Sequence, residues 1–138
     1  MTEERTPLHD YAWTLLRVVA GAIIFTRGTM KLFGWFGGFG PDGGTAELMS
    51  RFGVAGVLET AGGVLLVMGL FTRHAAFVLS GMLAVAYFWI HVGRGGLWWW
   101  ANGGTLAMLF SFVFLFLAAW GGGPYSLDAR RSGSDAKA

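Results

Sequence analysis

Ionisable side chains inside long apolar stretches are the part of this sequence that could do chemistry. A charged group in the hydrocarbon of a membrane costs about 2.5–3.5 kcal/mol on insertion scales, so such groups usually face the protein interior and have partners. Arginine, lysine and histidine N–H groups could also hold a polar ligand. One arginine, Arg17, lies early in the first stretch. The remaining candidates form a group called here the polar cluster: Arg27, Lys31, Glu59, His91 and Asn102.

Helical periodicity places these groups on inward faces. A stripe with two glycines joins Arg17 to Lys31, and Arg27 lies beside it, one turn from Lys31. Glu59 shares a face with Gly62, and small residues of this kind allow close helix contact. At 1.5 Å per residue, Arg27 and Glu59 both lie about 10 Å below the outer surface. We therefore predict an Arg27–Glu59 contact, with Lys31 close enough to share it.

The polar cluster has more than one interpretation. It could hold a small molecule or the headgroup of a quinone, whose carbonyl oxygens need donors such as Arg27, Lys31, His91 and Trp98. The charges could instead form a buried ion pair that fixes helix register. Lys31 and His91 could also extend to the outer interface. Arg17 stands apart and is interpreted as a charge that anchors the cytoplasmic end.

Other kinds of chemistry find little support in the sequence. The chain has no cysteine, which excludes thiol nucleophiles, disulfides and iron–sulfur ligation. His74 and His91 lie about 25 Å apart at opposite ends of one predicted helix, and no histidine spacing suggests a metal site or a haem. The net charge of +2 is dispersed, which argues against nucleic acid. We expect no metal and no covalently bound cofactor.

The elements that must position these residues are membrane-spanning helices. The chain is 54% hydrophobic and 13% charged, whereas soluble domains average about 25% charged residues. Four apolar stretches approach the roughly 20 residues that a spanning helix needs. We predict an all-α protein, a four-transmembrane-helix bundle, with helices at about 11–34, 53–71, 75–92 and 104–120. Residues 1–10 then form an N-terminal segment, 11–125 the transmembrane domain and 126–138 a flexible tail.

The placement of lysine and arginine predicts the orientation. With four spans, both termini and the turn at 72–74 lie on one side, which holds more basic residues than the other. That excess predicts that both termini are cytoplasmic. Trp98–Trp100 then lie at the outer interface, as an aromatic belt or as part of a binding site. The basic residues of the cytoplasmic side are Arg5, Arg17, Arg73, Arg130, Arg131 and Lys137, and those opposite are Lys31, Arg51 and Arg94.

Several motifs, in their order along the chain, resemble those of the DoxX family. The stretches RVVAG at 17–21 and RGTMKLFG at 27–34 are similar to its first helix, and ETAGGVLLVMG at 59–69 is similar to its second. His91, Asn102-Gly103-Gly104 and GPYSLD at 123–128 match the rest, so the resemblance covers about residues 13–129. It implies a four-helix protein of the bacterial inner membrane. Relatives include the small-subunit type of thiosulfate:quinone oxidoreductase and members proposed to join redox or oxidative-stress assemblies.

Two positions depart from the family pattern. Arg27 stands where many members have histidine, and Thr105 stands where an acidic residue often follows Asn-Gly-Gly. Both departures weaken an enzymatic role for this chain. Two functions stay open: a subunit of a quinone-linked or oxidative-stress redox assembly, or a non-catalytic structural subunit of a larger membrane complex. The expected partners are the lipid bilayer and other membrane proteins.

Overall fold

The protein is built from helices in the computed structural model, which describes residues 6–135. Arg5 and Lys137, used in the charge argument, lie outside that range, as does the first half of the predicted N-terminal segment. Within it there is no β-strand, and the only pairing of that kind is an isolated bridge between Phe39 and Gly44. The helices are α1 (Pro7–Phe33), α2 (Arg51–Met68), α3 (Thr72–Ala86), a π-helical turn (Tyr87–His91), α4 (Val92–Gly95), α5 (Trp99–Asn102), α6 (Thr105–Trp120) and α7 (Leu127–Asp135).

The long helix α1 begins four residues before its predicted start. Pro7 occupies the first turn, where its missing N–H leaves no hydrogen bond unmade. The helix ends at Gly34, which has a left-handed φ of 69° and donates its N–H to the carbonyl of Met30. Its 27 residues correspond to about 40 Å, which is more than the hydrocarbon thickness of a bilayer.

Glycines bring α1 and α2 into close contact. A Cβ atom added at Gly21 would lie 2.9 Å from Cβ of Leu66, and one added at Gly28 would lie 2.5 Å from the amide nitrogen of Thr60. On α2, a Cβ at Gly63 would lie 2.7 Å from Cβ of Phe25. Only residues without a side chain allow the backbones to approach this closely. The predicted packing of small-residue faces is therefore confirmed for these two helices.

The third apolar stretch is one continuous helix from Thr72 to Gly95, formed by α3, the π-helical turn and α4. It packs against α6, and the hydroxyl of Ser80 donates to the carbonyl of Ser111 at 2.7 Å. A buried hydrophobic core lies where α1, α2, α3 and α6 face one another. Its most buried members are Ile24, Leu66, Ala76, Leu79, Phe114 and Leu117.

Three of the described helices are long and apolar enough to cross a membrane: α1, α2 and the continuous helix Thr72–Gly95. The apolar helix α6 is shorter, with 16 residues. The expectation of an all-helical protein with membrane-spanning helices is confirmed at that level. The fourth span and the position of the termini remain predictions.

The segment after Pro124 packs against the turn between α2 and α3. Ser126 is buried, and its hydroxyl accepts the N–H of Ala129 at the start of α7. The carboxylate of Asp128 accepts the N–H groups of Phe71 and Thr72, at 2.8 and 2.9 Å, and so caps the first turn of α3. The domain boundary at residue 125 stays a prediction, but the residues just beyond it hold the turn between α2 and α3.

This cap should make stability depend on pH. Partial burial raises the pKa of Asp128, but the hydrogen bonds from Thr72 and Phe71 and the charge of Arg131 outweigh it and lower the pKa below its ordinary value. A lowered folded-state pKa stabilises the fold above the unfolded pKa of about 3.9, and that contribution is lost as the pH falls through the folded pKa.

We expect Asp128→Ala to lower the free energy of unfolding by about 0.5–2 kcal/mol at pH 7, the usual effect of removing a helix N-cap. The difference from the parent should shrink below about pH 4. Thermal melts in a non-ionic detergent between pH 3 and 7 measure both effects, and Asp42→Ala in an exposed loop is the control. An equal difference at pH 3 and pH 7 would mean that the charge of Asp128 does not contribute.

Candidate functional site

The acidic member of the polar cluster forms a buried ion pair. Nζ of Lys31 lies 2.5 Å from Oε2 of Glu59. Glu59 is 2% exposed and Lys31 is 9% exposed, so the pair is enclosed between α1 and α2. A Cβ atom at Gly56, one turn before Glu59, would lie 3.1 Å from Cβ of Lys31. The same close approach that glycine allows therefore brings the ammonium to the carboxylate.

The predicted contact between Arg27 and Glu59 is wrong. Arg27 is exposed, and in residues 6–135 it makes no hydrogen bond or ion pair. Each residue turns an α-helix by about 100°. Gly28 faces α2, so Lys31 lies about 60° from that contact line and Arg27 about 100° from it on the same side. The flexible lysine reaches the carboxylate from its position, whereas the arginine points away from α2.

His91 and Asn102 belong to a second, separate network at the end of the long third helix. The amide of Asn102 donates to the carbonyl of Gly96 at 2.9 Å and accepts the N–H of Gly104 at 2.7 Å. Nδ1 of His91 lies 3.3 Å from the carbonyl oxygen of Asn102. The hydroxyl of Tyr87 donates to Leu97 O at 2.5 Å. These bonds hold the loop after α4 against the helix.

Sequence reasoning did not select Tyr87 as a site residue. Tyr87 is 2% exposed, and the amide of Asn102 also lies 3.4 Å from its hydroxyl. The spacing of four residues to His91 was the available signal, because it places both side chains on one helix face. The π-helical turn over Tyr87–His91 shifts that face locally, and turns of this type are frequent at functional sites.

The structure thus divides the polar cluster into three parts. Lys31 pairs with Glu59, His91 contacts Asn102, and Arg27 stands alone. Across the described part of the chain, no hydrogen bond or ion pair links the first part to the second. The five residues therefore do not form one hydrogen-bonded cluster.

Arg17 lies apart from the cluster and is buried, and among residues 6–135 no carboxylate is hydrogen-bonded to it. It is 1% exposed. Its guanidinium donates to the carbonyls of Leu66 and Val67 at 2.5 and 2.8 Å, and to those of Gly122 and Tyr125 at 2.8 and 2.9 Å. Leu66 and Val67 lie in the last turn of α2, where carbonyls lack helical partners and carry partial negative charge. Arg17 therefore ties α1, α2 and the segment after α6 together.

A cavity of about 600 Å³ lies at this same end, beside α7. Its basic lining residues are Arg73, His74 and Arg131. The guanidinium of Arg73 donates to carbonyls at the end of α6, including that of Ala119, and Arg131 lies 5.1 Å from the ring centre of Phe71. Both arginines of this lining therefore contact the protein itself.

A second cavity is an apolar groove of about 450 Å³ between α1 and α6. The two helices make few contacts with each other, since α1 packs mainly on α2 and α6 on α3. Aromatic contacts of Trp13 with Phe116 and Trp120 join them at one end. The groove is lined by Ala12, Leu15, Leu16, Val19, Ala20, Ile23, Leu109, Phe110 and Val113.

Between Thr6 and Asp135, no three His, Cys, Asp or Glu side chains lie close enough together to hold a metal ion. Most intramembrane polar groups already have a partner in the chain. Within residues 6–135 Arg27 makes no hydrogen bond or ion pair, and its charge is exposed on a helix that could span the membrane.

Comparisons with known proteins show the family to which the chain belongs. The family model described as DoxX matches residues 12–92, which include most of α1 and all of α2, α3 and the π-helical turn. A protein of Haemophilus influenzae, described as uncharacterised, is 43% identical over 121 residues, which are 86% of this chain and 89% of that relative. No solved structure matches the chain. The family match covers more than half of the chain, and the chain belongs to the DoxX family of membrane proteins.

Proposed function

We propose that the protein is a non-catalytic membrane subunit of a larger assembly in the bacterial inner membrane. Two of the residues expected to bind a ligand are engaged inside the chain: Lys31 with Glu59, and His91 with Asn102. Such contacts fix helix register and loop position. They leave few free donors for a substrate, which favours a structural role over a catalytic one.

The observation that carries the proposal is the exposed charge of Arg27. It lies six residues before the end of α1, about 9 Å along the axis. A guanidinium in the hydrocarbon costs about 2.5–3.5 kcal/mol unless it finds a partner, and none is present within residues 6–135. A binding partner outside the chain would remove that cost.

The proposed arrangement in the membrane has four spans, with α6 as the fourth, and both termini in the cytoplasm. The 16 residues of α6 give about 24 Å, and Trp99, Trp100 and Trp120 near its two ends suit the membrane interfaces. Arg73, Arg130 and Arg131 then lie on the cytoplasmic side, and Arg51 and Arg94 on the other.

Single cysteines test this topology, because the natural chain has none. Asp42 and Ser132 are both exposed and lie on opposite predicted sides. In intact cells, a membrane-impermeant maleimide should label Asp42→Cys and leave Ser132→Cys unlabelled until the membrane is opened. Labelling of Ser132→Cys in intact cells would contradict the orientation.

The assembly we propose is a quinone-linked or oxidative-stress redox complex. The support is the family membership and its resemblance to the small-subunit type of thiosulfate:quinone oxidoreductase. Under this proposal the redox centre belongs to a partner, and this chain supplies membrane attachment. The chain should be purified from native membranes in a mild detergent, and its stoichiometric partners and quinone content measured. A particle that contains this chain and lipid alone would refute the proposed subunit role.

A further inference from the structure

The unpartnered Arg27 and the groove between α1 and α6 lie on one surface. Ile23 forms part of the groove wall on α1, and Arg27 is four residues further along the same helix face. From Ala12 to Ile23 the wall extends about 17 Å, so the groove leads along the membrane-spanning part of α1 to the arginine. The guanidinium therefore stands at one end of an otherwise apolar groove.

We infer that this groove receives a membrane-spanning helix of a different protein, and that a carboxylate on that helix pairs with Arg27. This docking rests on the proposed subunit role. Two helices that barely touch present a ridge-and-groove surface on which a third helix can pack. An acidic side chain at the depth of Arg27 would convert an exposed charge into a buried pair, with bidentate geometry available to the guanidinium.

The membrane-spanning helices of a second copy of this chain do not supply that carboxylate. Glu59 is the one acidic residue in α2, the helix Thr72–Gly95 and α6, and it is paired with Lys31. Asp10 of α1 lies 17 positions from Arg27, about 26 Å along the axis. Copies inserted with the same topology place Asp10 and Arg27 at opposite ends of the helix, so the charges cannot meet.

A lipid alone fits the groove less well. An acyl chain would fill the apolar wall, but Arg27 would have to extend along the helix to reach a phosphate in the headgroup region. Arg27 lies about 9 Å before the end of α1. A carboxylate carried by a protein helix can lie at the same depth as the guanidinium.

Photocrosslinking in native membranes tests the docking. The photoreactive residue p-benzoylphenylalanine is placed at Ile23 or Leu109, which are exposed on the two walls of the groove. Matched controls place it at Val57 and Val85, which are exposed apolar residues on other helices. Both groove positions should give one protein adduct that is absent from the controls. The crosslinked peptide should map to an apolar segment that contains Asp or Glu.

The role of the Arg27 charge is tested by the yield of the same adduct. Arg27→Glu and Arg27→Gln should lower its yield by about tenfold or more, as expected for a close charge pair, and Arg27→Lys should retain most of it. Arg27 makes no hydrogen bond or ion pair in the described chain that these changes would break, and parent-like thermal melts verify that each variant folds. If Arg27→Glu fails to fold, Arg27→Gln decides.

Several results would overturn the docking. Adducts to lipid alone, to a second copy of this chain or to a segment without an acidic residue would contradict it. An adduct yield that is the same in the parent, Arg27→Glu and Arg27→Gln would also contradict it. A protein adduct from Val57 or Val85 but not from the groove would reject the groove and keep the subunit role. A particle that contains only this chain and lipid would reject both.

Discussion

Arg17→Met should destabilise the fold by roughly 3–5 kcal/mol. The change removes hydrogen bonds from a charged donor to four buried or partly buried carbonyls, and bonds of that type are worth about 1.5–3 kcal/mol each before the structure relaxes. It also removes the hydrogen bonds that connect α1 to the end of α2 and to the segment at 122–125. Thermal unfolding of the purified protein in detergent measures the loss.

Two further variants separate the geometry of Arg17 from its charge. Arg17→Lys keeps the charge, but an ammonium cannot reproduce the planar fork that reaches both α2 and the segment after α6. It should recover only a small part of the stability. Arg130→Met removes an exposed arginine and should melt like the parent. A parent-like melt for Arg17→Met would show that water satisfies these carbonyls and that Arg17 does not hold the three segments together.

Glu59→Leu and Lys31→Met should each destabilise the protein by about 3–5 kcal/mol, because each leaves the other charge buried without a partner. The double variant should recover much of that loss, since an apolar pair of similar volume is often neutral in place of a buried ion pair. Melts of the two single variants and the double variant give the coupling energy.

Arg27→Met is the matched control for this pair. The substitution removes a cation one turn from Lys31 but leaves the Lys31–Glu59 ion pair in place. Its melting temperature should equal that of the parent in detergent. If Arg27→Met is destabilising and couples to Glu59→Leu, the carboxylate pairs with Arg27 in solution and the assignment to Lys31 fails.

Much of the fold follows from the sequence because membrane helices leave strong local signals. Long apolar runs must satisfy their backbone groups internally, which makes them helices, and glycine stripes predict where those helices approach. The presence of Glu59 in the interior also followed, since it is acidic and flanked by small residues. The identity of the residue that pairs with Glu59 did not follow from the sequence. Arg27 and Lys31 differ by about 40° around α1, and periodicity alone cannot decide which one reaches the carboxylate.

Contacts between distant segments were the least predictable part. Arg17 bonds to carbonyls more than a hundred residues away, and backbone acceptors carry no side-chain pattern. Asp128 was placed in the predicted tail because the sequence around it is polar. Its role as a cap on α3 depends on the path of the segment after α6. The π-helical turn that positions Tyr87 has no composition signal of its own.

The central claim is that internal charge contacts hold the helices together and that Arg27 binds a partner protein. The most direct test compares the mass of the particle that Arg27→Gln forms with that of the parent. The parent and the variant are solubilised from native membranes in the same mild detergent, and each particle is weighed by native mass spectrometry. We predict that the parent carries a second protein and that Arg27→Gln, with an unchanged melting temperature, is found without it. An equal mass for the two particles, with the partner retained in both or absent from both, would contradict the account.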